Sequence, residues 1–135
     1  MNRFPSPKDY NLEKSCVKQL MKELSPIDCA NTQVAVIQYG ANDQIVHKFS
    51  DNQDIDTISG KIDSIVQTDI QFTGTRPEVA IETSLNYIFQ PEHGSRSKSS
   101  QQAKEVIVLI TDGKFERPTM AFEVTFNSNT FSQLN

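Results

Sequence analysis

Two short runs carry residues able to do chemistry. Thr73-Gly74-Thr75 stands just before a segment with helical spacing, and Thr111-Asp112-Gly113 closes the most apolar run of the chain. Hydroxyl and carboxylate oxygens are hard donors, so Thr75 and Asp112 at neighbouring loop ends suit Mg2+ or another hard divalent ion. Each run alone also has a plainer explanation as a turn. The remaining candidates are thinner. His47 and His93 are far apart and lack a His-x-x-x-His or cysteine partner, which argues against a metal or catalytic role. Arg76, beside Thr75, could meet an acidic ligand or simply be solvated, while Arg96 and Lys98 read as solvated loop charges. No G-x-S-x-G, P-loop or G-x-G-x-x-G run occurs, so hydrolase and nucleotide chemistry lack support. There is no Asn-x-Ser/Thr acceptor.

The elements that must position these residues follow from periodicity. Leu12, Cys16, Val17, Leu20, Met21 and Leu24 repeat at helical spacing over 9–24, with Ser6 or Asp9 as candidate cap and Ser25-Pro26 as stop. Residues 33–39 form a short β-branched run that predicts a buried strand. Gly40–Asp43 is a turn and 45–49 a second strand, paired with the first as a hairpin. Ile55, Ile58, Ile62, Ile65 and Val66 give an apolar helical stripe, interrupted by Gly60. Pro77 opens a helix to about Phe89. Residues 91–103 are polar and read as an exposed, flexible loop. The unbroken apolar run 105–111 predicts a strand covered on both faces, as in a parallel α/β sheet, and ligands bind at the carboxyl ends of such strands. Phe122, Val124 and Phe126 give only a weak strand signal.

In that order, VAVIQYG, an amphipathic helix, TGT with a helix and KEVIVLITDGK resemble the von Willebrand factor A family. SPKDYNLEKSCVKQLMKEL is similar to that family's first helix. The resemblance covers about residues 5–114 and leaves 115–135 as an irregular tail. It implies an α/β fold, here an incomplete doubly wound, mostly parallel sheet with helices on both faces. It also implies a non-enzymatic cell-adhesion or extracellular-matrix role. The expected partner is a protein with an acidic side chain, such as collagen or another matrix component, bound through a metal-ion-dependent adhesion site. Thr75 matches that site's threonine and Asp112 its later aspartate, with the loops near 40–43 and 70–76 framing the ligand. The family's Asp-x-Ser-x-Ser motif has no counterpart; Asn2 and Phe4 take the two serine positions. Two protein donors are few for octahedral Mg2+, so divalent-cation binding is expected to be weak or absent. The family's first strand, which would lie between 33–39 and 105–111, also has no counterpart. That opens two further readings: an inactive or incompletely folded fragment of a larger matrix-type protein, or a rescue in which residues 122–126 fill the vacant place.

Composition bounds the rest. The chain has 135 residues, enough for one domain, and its 36% apolar content predicts a thin core. A net charge of −4 disfavours nucleic-acid binding, which needs a basic face. No run approaches the roughly 18–20 apolar residues that span a bilayer. The first residues lack an apolar stretch, so no secretory signal is read here, although the family resemblance implies a secreted or cell-surface setting. Cys16 and Cys29 are either buried thiols or, in an oxidising compartment, a disulfide pair.

Overall fold

A computed structural model describes residues 7–66, 76–97, 103–110 and 131–134. Helix α1 spans Pro7–Glu23. Helix α2 spans Ile55–Asp63 and starts from an N-cap at Asp54, whose Oδ2 accepts from the Thr57 backbone N–H at 3.0 Å and its hydroxyl at 2.9 Å. The cap satisfies a donor that the first helical turn leaves open. Ile58 and Ile62, one turn apart on α2, meet Met21 of α1 and Ile27 to form the core, with Val17, Val34, Val36 and Ile55 against it. Outside that core, Lys18 bridges Asp63 at 2.7 Å, and the Lys14 ammonium donates to the carbonyls of Asp63 and Ile65 at the end of α2.

Strands β1 (Val36–Tyr39) and β2 (Asp43–His47) pair antiparallel, with an irregularity between Val36 and Ile37. Their turn is closed by the Gly40 N–H donating to the Asn42 carbonyl at 2.7 Å. This is the hairpin the sequence predicts, but β1 begins later than expected. Val34 has its N–H and C=O bonded to the side-chain amide of Gln53 instead of a strand. Helix α3 (Pro77–Thr83) lies on β1 and β2 and continues into a wider turn over Ser84–Ile88. It buries Ala80, Ile81, Ile88 and Phe89, and the Phe89 ring packs 5.5 Å from that of Phe49. Strand β3 (Ile107–Ile110) pairs in parallel with β4 (Phe131–Leu134). β4 falls within the segment expected to be an irregular tail. Residues 122–126 lie outside the described residues.

Several expectations are corrected. Leu12 and Leu24 are exposed, as are both cysteines, which are free thiols and neither buried nor paired. The buried stripe of α1 is narrower than its period suggests: α2 packs on it, and Tyr10 accepts from the Gln38 side chain of β1. The 91–97 part of the expected flexible loop is packed. A short 3-10 turn, Pro91–His93, leads to Gly94 at φ 91°, where a Cβ would stand 2.5 Å from the Ser50 nitrogen. Only glycine tolerates both constraints. Ser95 is buried. Arg96, expected to be solvated, donates to the Gln33 side chain at 3.0 Å and to the Asn31 carbonyl. His93 stacks on Tyr87.

Candidate functional site

Thr75 and Asp112 themselves lie outside the described residues, as do Thr73, Gly74, Thr111, Lys98 and the 70–75 loop. Their described neighbours in the chain, Arg76 and Ile110, are brought to one edge. The Arg76 backbone N–H donates to the Gly40 carbonyl at 2.9 Å, which ties the start of α3 to the β1–β2 turn. The Tyr39 hydroxyl donates to the Ile110 carbonyl at 3.0 Å, which ties the end of β1 to the end of β3. The carboxyl ends of two strands and the start of a helix therefore meet around residues 39–40, 76–78 and 110. Open α/β sheets place ligand sites at such an edge.

A carboxylate sits beneath it. Glu78 is 1% exposed, and its Oε1 accepts from the Arg76 Nε at 2.9 Å. Its Oε2 is buried with no hydrogen-bond partner among the described residues. The Arg76 side chain is 31% exposed. A guanidinium carries five donors, and among the described residues only its Nε is paired with a side chain. An unsatisfied buried carboxylate oxygen is costly, so this pair is held in place by the packing of α3 on β1 and β2 and not by its own bonding. Glu78 is the residue that inspection of the sequence missed. The signal was present: Glu78 stands at i−3 and i−7 from Ile81 and Leu85, on the stripe that turns inward.

Comparison with known proteins identifies the setting. A profile for the von Willebrand factor type A domain matches residues 5–131. The chain belongs to the von Willebrand factor type A domain family. It is 30% identical to integrin alpha-E of Mus musculus over 122 residues, which is 90% of this chain and 10% of that protein. It is 29% identical to matrilin-3 of Homo sapiens over 116 residues, which is 84% of this chain and 22% of that protein. The chain thus spans between about a tenth and about a fifth of the length of these relatives. Proximal thread matrix protein 1 from the mussel byssus superposes with a TM-score of 0.77 at 16% identity, covering 95% of this chain and 33% of that one. The same protein with zinc in its metal-ion-dependent adhesion motif superposes with a TM-score of 0.74. These likenesses establish the α/β fold of the family for this chain.

The described residues do not fit a resident divalent cation. Among them no three His, Cys, Asp or Glu side chains are close enough to hold one. The carboxylate at the strand-end edge, Glu78, is already engaged by the Arg76 guanidinium, so a cation there would face a like charge. No helix among the described residues is long and apolar enough to cross a membrane.

Proposed function

We propose that this chain is a non-enzymatic, adhesion-type protein-binding module whose ligand surface is the edge formed by Gly40, Arg76 and the end of β3. The observation that carries the reading is the pair of hydrogen bonds, Arg76 to Gly40 and Tyr39 to Ile110, that gathers three chain segments at the carboxyl ends of the strands. Family membership supports protein binding over catalysis. The ligand contributes an acidic side chain, and a matrix protein such as collagen in an extracellular setting is the natural class. In this reading Thr75 and Asp112 line the edge, and the part-exposed guanidinium of Arg76 meets the ligand carboxylate. The planar fork of an arginine matches a carboxylate in shape and charge. Divalent cations contribute little at Glu78, because that buried carboxylate is spent on Arg76.

Binding to immobilised collagen and to a panel of acidic peptides, with Mg2+ or with a chelator, tests this. Arg76→Ala should weaken binding in both conditions, and Asp112→Asn should have a smaller effect. Chelator-sensitive binding that ignores Arg76→Ala would overturn the cation-independent form. A competing reading, an incompletely folded piece, is favoured by the four residues of β1, all of which remain half-exposed. A cooperative thermal melt and a protease-resistant core would exclude it.

A further inference from the structure

At the opposite end of the hairpin from the candidate site lies a second polar cluster that ligand binding does not use. His47, the last residue of β2, is 0% exposed, and Gln53, in the loop before α2, is 5% exposed. The Gln53 amide orientation is fixed by Val34, whose N–H donates to the amide oxygen at 2.7 Å. The amide nitrogen then donates to the Val34 carbonyl at 3.0 Å and the Lys48 carbonyl at 3.1 Å, and lies 3.3 Å from the His47 Nε2. The two hydrogens of this NH2 are shared among the Val34, Lys48, Phe49 and Asp51 carbonyls and the His47 Nε2. An amide nitrogen cannot accept, so a proton on Nε2 would find no acceptor in Gln53, and the neutral ring is assigned its proton on Nδ1. On the Nδ1 side are the backbone of Asn52, which favours the charged ring, and the Asp51 carboxylate at 3.9 Å; among the described residues neither makes a well-formed hydrogen bond to Nδ1.

We propose that His47, Gln53 and Val34 form an acid-released latch, which holds the 48–53 loop against the start of β1 while His47 is neutral and frees it when His47 takes a second proton. A proton on Nε2 sets N–H against NH2 at a ring that is 0% exposed. Turning the Gln53 amide over does not relieve this, because its nitrogen would then face the Val34 N–H. The conflict is resolved only by withdrawing Gln53, and that unties Val34 from Lys48. The freed loop is also joined to the 91–96 segment, since the Ser50 N–H donates to the His93 carbonyl at 2.9 Å. The charged groups around the ring oppose one another. Lys61 of α2 disfavours the imidazolium and Asp51 favours it. Lys61 itself lies 3.5 Å from Asp51 and so mutes that attraction. From α3, also packed on β2, the buried charge is Glu78, which is paired with Arg76, while Glu82 is exposed. Burial, the first cause holding His47 below the ordinary imidazole range, is therefore not offset by a counter-ion in hydrogen-bond contact.

Amide hydrogen exchange of the 135-residue chain, read at Val34 and at Leu109 of β3, tests the latch. As pH falls from about 6.5 towards the lower folded-state value of His47, Val34 should lose protection by up to about tenfold per pH unit relative to Leu109, after correction for intrinsic exchange, as expected for an opening linked to one proton. His47→Gln, which keeps an acceptor oxygen and cannot titrate, should abolish that dependence. Equal losses at Val34 and Leu109, or a loss that persists in His47→Gln, would overturn the proposal. If that variant does not fold, imidazole 15N shifts of the unaltered chain decide. A proton on Nδ1 that is joined by a second as Val34 opens supports the latch, and a proton on Nε2 at neutral pH rules it out.

Discussion

The two ends of the β1–β2 hairpin each bury a polar side chain, and they satisfy it very differently. At the start of β1, Gln53 places both atoms of its amide on backbone partners and so joins Val34 to the loop before α2. At the end of β1, Glu78 spends one oxygen on Arg76 and leaves the other without a partner. The first end is bonded as a staple is. The second retains unspent hydrogen-bonding capacity, among the described residues, beside a part-exposed guanidinium. Polar groups that are buried and incompletely satisfied concentrate where a protein does something other than hold itself together.

That contrast is tested most strongly at the staple. Gln53→Ala strands the Val34 N–H and C=O in a half-buried place, and each unmade bond costs about 1–3 kcal/mol, so a total loss near 3 kcal/mol is expected in urea unfolding. A loss under about 1 kcal/mol would mean that water replaces the amide easily and that the two ends are not so different. Arg76→Ala leaves the Glu78 carboxylate buried without a counter-ion. Breaking a fully buried pair costs about 3–5 kcal/mol, and the part-exposure of Arg76 brings the expectation to about 2 kcal/mol, again by unfolding.

The pH dependence of stability separates the ends by group. His47 is held below its ordinary value, first by burial and then by Lys61. The folded state therefore resists a proton that the unfolded chain accepts. Stability is intact above about pH 6.5 and falls as pH drops below it, until the folded-state value is reached. Asp51 is lowered chiefly by the backbone N–H of Lys48, so its contribution is present above the ordinary aspartate range and is lost as pH falls through the lower folded-state value. Urea midpoints from about pH 7.5 down to about pH 3 should show the histidine step first, and His47→Gln should remove that step alone. The smallest effect belongs to Glu78→Gln. It keeps the shape and removes a poorly satisfied charge, so the change should stay within about 1 kcal/mol of either sign. A loss comparable to that of Arg76→Ala would show that the carboxylate is better satisfied than its bonding suggests.

The local pattern of the chain was enough to place α1, the β1–β2 hairpin, α2, α3 and β3, because 3.6- and 2-residue periods and the Pro77 signal act over neighbouring residues. The family was equally legible, since VAVIQYG and KEVIVLITDGK with the TGT between them are short contiguous runs. Long-range packing settled the rest. Whether Leu12 and Cys16 would be covered depended on how wide a partner α1 found, and the answer was a narrow one. Val34 left the strand because Gln53, nineteen residues on, reached its backbone first. Glu78 turned inward because α3 presents that stripe to β1 and β2, and Arg96 lost its solvated role to Gln33 and Asn31. A polar side chain reads the same in sequence whether water or a distant backbone satisfies it. Only the folded chain chooses between them, because the choice depends on contacts that no local period encodes.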